Sequence, residues 1–178
     1  MKILAVCGSP RKGNTEFMIK TVLGEITNHE KELILLREKK IKRCIGCLYC
    51  DENKEKCSIK DDDMKKLNGK LKEADILIVG SANYFDNVTG LLKDFIDRTN
   101  PFYQTGLLNG KKVYAVVAGG MSKEHSKKVI DAVDIFAKAH EMKFVKGVIC
   151  ENSEDAKAEE QKELVEELKE LGKEINSL

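Results

Sequence analysis

Short, nearly continuous apolar runs alternate along the chain with longer stretches in which apolar residues recur every three or four positions. Lys2-Ile3-Leu4-Ala5-Val6-Cys7 is the first run, and similar ones lie at Leu33 to Leu36, Ile76 to Val79, Val113 to Ala118 and Phe144 to Ile149. Runs of this length without polar alternation are the pattern of strands buried on both faces of a parallel sheet. Between them, Met18, Val22 and Ile26 form a helical stripe, and Met64, Leu67 and Leu71 form a second. Leu91, Leu92, Phe95 and Ile96 form a third, Val129, Val133, Phe136 and Ala137 a fourth, and Leu164, Leu168, Leu171 and Ile175 a fifth. The plain role of each stripe is to cover the sheet. Five strands alternating with five helices predict an α/β fold with a doubly wound five-stranded parallel sheet, because right-handed crossovers place helices on both faces. The order 2-1-3-4-5 suits this length. It puts the ligand at the carboxyl edge between the first and third strands, where the winding reverses.

The loop after the first strand reads Gly8-Ser9-Pro10-Arg11-Lys12-Gly13-Asn14-Thr15 and runs into the first helical stripe. Glycines relieve the turn, and the first amides of the helix have no partner of their own, so an anion held there satisfies them. Asn14 stands where the nucleoside-triphosphatase loop needs a lysine, and Pro10 where the dinucleotide fingerprint needs its second glycine. What remains is a loop with Ser9, Gly13, Asn14 and Thr15 as donors beside Arg11 and Lys12, suited to one terminal phosphate such as that of a mononucleotide.

Composition narrows the class. At 178 residues with 42% hydrophobic content, one domain spanning 1–178 is expected. Lys plus Arg is 31 against 30 Asp plus Glu, so no global field favours nucleic acid or an anionic membrane. No apolar run approaches the roughly 20 residues that span a bilayer, and the N-terminus enters a strand directly, so a cytoplasmic chain is expected. In that reducing compartment clustered cysteines read as metal or redox ligands rather than disulfides.

Four of the six cysteines cluster as Cys44-x2-Cys47-x2-Cys50-x6-Cys57, an insert at about 44–57 between the second strand and second helix. Three thiols at this spacing, with Gly46 letting the backbone curl, can converge on one face of a four-iron cubane that the fourth closes. A structural zinc and metal-free thiols are the competing readings. The insert follows a strand end, so it emerges from the same edge as the phosphate loop. Arg37, Lys39, Lys40, Lys42 and Arg43 precede it, either as a solvated face or as a docking patch for an acidic ferredoxin.

The loop Gly-Ser-Pro-Arg-Lys-Gly-Asn-Thr after an N-terminal strand resembles the flavin-phosphate loop of the flavodoxin-like NAD(P)H-dependent FMN reductases. The segment Cys44-Ile45-Gly46-Cys47-Leu48-Tyr49-Cys50 with Cys57 resembles, more narrowly, the iron-sulfur flavoproteins of that group. The resemblance covers nearly the whole chain and implies FMN as cofactor. It implies that Ala82, Asn83, Tyr84 and Phe85, after the third strand, line the isoalloxazine, although the two aromatics also read as caps on the core edge. Gly119 and Gly120, after the fourth strand, resemble the third flavin-lining loop, and plain turn chemistry accounts for them too. The chain departs from these relatives at Ala82, where proline is common, and at Asp86, where glycine is common. The resemblance further implies a [4Fe-4S] cluster on Cys44, Cys47, Cys50 and Cys57, ferredoxin or NAD(P)H as electron donor, a small-molecule acceptor and a homodimer or homotetramer. No side chain need act as acid or base. Two alternatives stay open: an NAD(P)H-dependent reductase of FMN, quinones or nitro compounds without a cluster, and a non-catalytic binding module stiffened by zinc.

Overall fold

The computed structural model describes residues 1–178. Strands β1 (Lys2–Cys7), β2 (Glu30–Leu35), β3 (Ile76–Ala82), β4 (Lys112–Ala118) and β5 (Lys143–Cys150) form one sheet in the order β2-β1-β3-β4-β5, every pair parallel. The helices are α1 (Asn14–Gly24), the single turn α2 (Tyr49–Glu52), α3 (Met64–Glu73), α4 (Gly90–Asp97), α5 (Lys123–Ala139) and α6 (Lys162–Asn176). The fold is the flavodoxin-like one that the alternation of runs and stripes predicts.

Successive strand residues point to opposite faces, and the core divides accordingly. Ile3, Ala5 and Cys7 of β1 pack with Met18, Ile19 and Val22 of α1 and with Leu168, Leu171 and Ile175 of α6. Leu4 and Val6 face the other way, onto a core shared by Leu67 and Leu71 of α3, Leu92 and Phe95 of α4, and Val129, Val133 and Phe136 of α5. Each apolar stripe is thereby removed from water, at roughly 1.5–3 kcal/mol for each large side chain fully buried.

β2 differs from the two-sided burial that its apolar run suggests. It is an edge strand, so Glu30, Lys31 and Glu32 are exposed and only Ile34 is buried. Leu36 belongs to a 3-10 turn (Leu36–Glu38) that starts the path into the cysteine insert, and it is fully buried there. No helix is long and apolar enough to cross a membrane.

Candidate functional site

The strand register aligns the carboxyl ends that carry the loops. Cys7 lies opposite Leu35 and Gly80, Ala82 opposite Ala118, and Ala118 opposite Cys150. Hydrogen bonds continue this ladder past the strands, from Gly8 N to Gly80 O at 2.7 Å, Asn83 N to Ala118 O at 2.8 Å and Gly119 N to Cys150 O at 2.9 Å. The loops after β1, β3 and β4 are therefore held side by side at the point where the winding reverses.

The first loop is built around close packing. A Cβ on Gly8 would stand 2.6 Å from Cβ of Leu92, and one on Gly80 would stand 2.5 Å from Cδ1 of Ile19 and 2.9 Å from Cγ2 of Thr15. Gly13, by contrast, is extended with open space beside it. Ser9 Oγ donates to Arg11 O at 3.0 Å and accepts from Arg11 N at 3.3 Å, which closes the turn on itself. The bond from Phe17 N to Gly13 O at 3.0 Å opens α1, so the amides of Asn14, Thr15 and Glu16 have no partner inside the helix. Those amides lie beside the exposed Arg11 and Lys12, an arrangement of donors and cations that can hold an anion. The Asn14 side chain turns elsewhere. It donates to Ser153 O at 3.3 Å and accepts from Ala158 N at 3.1 Å, tying the loop to the segment before α6. Thr15 is buried against Gly80. Glu16, also buried, is neutralised by Lys20 at 2.6 Å and Arg37 at 2.8 Å. The Lys20 hydrogen bond, against the opposing effect of burial, holds its carboxyl below the usual range.

Thr89 supports this loop and carries no motif of its own. It caps α4 by accepting from Leu92 N at 3.2 Å, donates to Gly8 O at 2.6 Å and, through its amide, donates to Ser81 Oγ at 3.2 Å. One buried hydroxyl thus fastens the phosphate loop to the loop after β3.

That second loop is a tight hairpin in which Tyr84 and Asn87 exchange backbone bonds at 3.0 and 3.1 Å. Phe85 (φ 53°) and Asp86 (φ 59°) occupy the two central positions, both left-handed, as in a type I′ turn. Asp86 adopts a left-handed conformation that favours glycine, and its carboxylate accepts from His125 Nδ1 at 2.8 Å and Lys128 Nζ at 2.5 Å. Lys128 first and His125 second hold that carboxyl below the usual range. The tip is fastened to α5 in this way. Phe85 stands wholly in solvent and Tyr84 is exposed, so neither aromatic caps the core. Asn83 lies beside Gly119, with its buried Oδ1 lacking a partner, and Ser126 Oγ, also buried and unpartnered, contacts the same glycine. Gly120 is covered by the Glu154 carboxylate, which a Cβ there would meet at 2.7 Å. Ala82, Asn83 and Gly119 converge, and the orphan oxygen of Asn83 gives a polar-edged ring a bonding partner.

The cysteine insert runs between β2 and α3. Gly46 (φ 61°) and Leu48 (φ 58°) turn the backbone through left-handed positions. Cys44, Cys47, Cys50 and Cys57 all line one cavity of about 60 Å³, without three of them being drawn together as a metal site. Cys47 lies 3.1 Å from Ser58 Oγ, and this contact, aided by backbone amides, brings the pKa of its thiol below the ordinary value and favours the thiolate. Asn100 Nδ2 donates to Cys50 Sγ at 3.0 Å. Four soft donors around a common pocket, two already hydrogen-bonded at sulfur, fit a thiolate-held cluster. Cys44 and Gly46 also line a cavity of about 760 Å³ shared with Asn87 and Val88, so the insert adjoins the loop after β3. The basic run before it is largely paired within the chain: Arg37 with Glu16 at 2.8 Å, Lys42 with Asp61, and Arg43 with Asp94 at 4.0 Å.

Beneath the insert lies an arrangement that residue types alone did not reveal. Arg98, just past α4, and Asp62 form an ion pair at 2.5 Å with both side chains 1% exposed. The signal was present as a charged residue among Phe95, Ile96 and Phe102, at a position the apolar stripe carries into the core.

A 2-1-3-4-5 parallel sheet with unpartnered helix amides at its switch point is the flavodoxin-like architecture. The sequence profile of the family described as NADPH-dependent FMN reductase matches residues 1–170, and the chain belongs to that family. It is 39% identical over 135 residues to an iron-sulfur flavoprotein of Archaeoglobus fulgidus, covering 66% of each chain. It is 40% identical over 126 residues to an iron-sulfur flavoprotein of Methanocaldococcus jannaschii, covering 69% of this chain and 64% of that one. The matched part is therefore just under two thirds of these relatives' own lengths. An FMN-dependent NADH-azoreductase from Bacillus anthracis, solved in complex with FMN, shares the fold at a TM-score of 0.77, with 14% identity over 99% of this chain and 100% of that one.

Proposed function

We propose that the chain is an FMN-dependent oxidoreductase of the iron-sulfur flavoprotein type, passing electrons between a [4Fe-4S] cluster on Cys44, Cys47, Cys50 and Cys57 and FMN at the switch point. The observation that carries this reading is that the unpartnered first amides of α1, the buried orphan oxygen of Asn83 and the four-cysteine pocket all belong to one end of one sheet. FMN supplies the exchange between two-electron hydride chemistry and single-electron transfer that such a pairing needs. The chain's own part is to bind and orient. The amides of Asn14, Thr15 and Glu16, with Arg11 and Lys12, hold the phosphate. Thr89 fixes the loop that presents them, and Asn83 and the backbone at Gly119 and Gly120 meet the polar ring edge. Ser58 keeps Cys47 inclined to ligate, and Asn100 orients Cys50.

NAD(P)H or reduced ferredoxin is the donor class and a small molecule such as a quinone or peroxide the acceptor, acting in a homodimer or homotetramer; the names of the family and of its iron-sulfur members support the cofactors. Metal and flavin analysis of anaerobically purified protein tests the reading. FMN near one per chain and iron and sulfide near four, as this cluster type requires, are expected, with the broad visible absorption lost in Cys47→Ala. Flavin without iron after reconstitution favours a cluster-free NAD(P)H-dependent reductase. Zinc without flavin overturns both in favour of a binding module.

A further inference from the structure

Two segments flank the cysteine pocket, and both end on one buried side chain. Arg98 Nη1 donates to Lys42 O at 2.6 Å, two residues before Cys44. It also donates to Asp62 Oδ2 at 2.5 Å, while Nη2 reaches Ile59 O, two residues after Cys57, at 3.4 Å and Asp62 Oδ1 at 3.3 Å. The aspartates complete the seam. Asp62 accepts from Lys42 N at 3.0 Å and Asp63 from Lys40 N at 2.8 Å. Four donor contacts from one guanidinium therefore set how far the Cys44 end stands from the Cys57 end.

The fork is not fully used. Arg98 Nε is buried and has no acceptor, in a side chain whose other donors are all engaged. Burial opposes the charge on Arg98; the Asp62 hydrogen bond and then the Cys57 sulfur counter it and keep the guanidinium protonated. Outer partners that fix the chain on either side of a ligand set orient the ligands themselves.

We propose that Arg98 is the positioning residue of the cysteine pocket: it ties the chain entering the pocket to the chain leaving it and so sets how the Cys44 and Cys57 ends stand to one another. The clamp does not depend on the cluster reading above.

The test uses the full chain with FMN bound, in two forms: Arg98→Lys, which keeps the charge without the fork, and Arg98→Met with Asp62→Leu, which removes both charges together so that none is left buried alone. Hydrogen exchange on the metal-stripped chain is expected to speed up at least about tenfold across residues 40–62 while amides of β1 and β3 keep their protection. Unchanged exchange in both variants overturns the clamp. A chain that takes up no iron yet loses protection in the variants refutes the cluster reading while upholding the clamp.

Discussion

Two glycines of the same eight-residue loop should respond oppositely to one methyl group. In Gly8→Ala the new Cβ would stand 2.6 Å from Leu92 Cβ and 3.1 Å from Gly80 O, the first a contact that real Cβ atoms do not make. Neither neighbour is a flexible side-chain end, so the strain must be relieved by moving β1's loop away from α4. Overpacking of this kind costs about 1–3 kcal/mol. The displacement also disturbs the Thr89 Oγ1 bond to Gly8 O and the set of the α1 amides, so FMN affinity should fall by roughly 5- to 150-fold if the same energy is lost from binding. In Gly13→Ala the added Cβ meets nothing within 4 Å and the backbone is already extended, so stability should stay within about 0.5 kcal/mol or rise slightly as the unfolded chain loses freedom. Urea unfolding gives the stability difference, and quenching of flavin fluorescence gives the affinity. A Gly8→Ala protein as stable as the parent, or a Gly13→Ala protein equally destabilised, would show that the loop is not held by the contacts described.

Thr89→Ala removes the cap of α4 and the bond to the phosphate loop, and urea unfolding should report a loss of about 1–2 kcal/mol, together with weaker FMN binding; parental values for both refute the fastening role. Phe85→Asn places a residue suited to the left-handed region at an exposed hairpin tip and should raise stability by about 0.5–1 kcal/mol in thermal unfolding, whereas a loss would mean that Phe85 makes a stabilising contact. Burial pushes the Cys150 thiol up to about 11 from 9.0. The unfolded thiol ionises first, so this stability is whole below about pH 9 and falls by about 2–3 kcal/mol as pH rises toward 11. Cys150→Ala should flatten that alkaline decline in urea midpoints taken at pH 8 and 10.5, and an equally steep decline removes the assignment.

The sheet order was legible because Lys2–Cys7, Ile76 to Val79 and Val113 to Ala118 are apolar without alternation, and only burial on both faces explains that. β2 was less so, since an edge strand keeps Glu30 and Glu32 in water and its apolar residues do not announce its start. The turn between β1 and α1 was readable from Gly8 and Pro10, yet the partners of its side chains were not. Asn14 looked like a phosphate donor, but its side chain spans to Ser153 and Ala158, partners 139 and 144 residues away that no local pattern indicates. Thr89 was invisible for the same reason, a threonine at a helix start being ordinary until the fold brings Gly8 to it, and Arg98 showed only as a charge on an apolar stripe whose partner Asp62 no local pattern names. Phe85 was expected over a flavin ring because two aromatics in a loop suggest stacking. The two-residue turn, set by backbone bonds between Tyr84 and Asn87, leaves its side chain wholly in solvent at the carboxyl edge.

Everything proposed for the chain begins with a phosphoryl group held by the first turn of α1. Parallel fluorescence titrations with FMN and with riboflavin, which differ only in that group, measure it directly. FMN should bind at least about 100-fold more tightly, a difference of about 2.7 kcal/mol, and the advantage should shrink in Gly8→Ala. Equal affinity for the two flavins would contradict the account at its base.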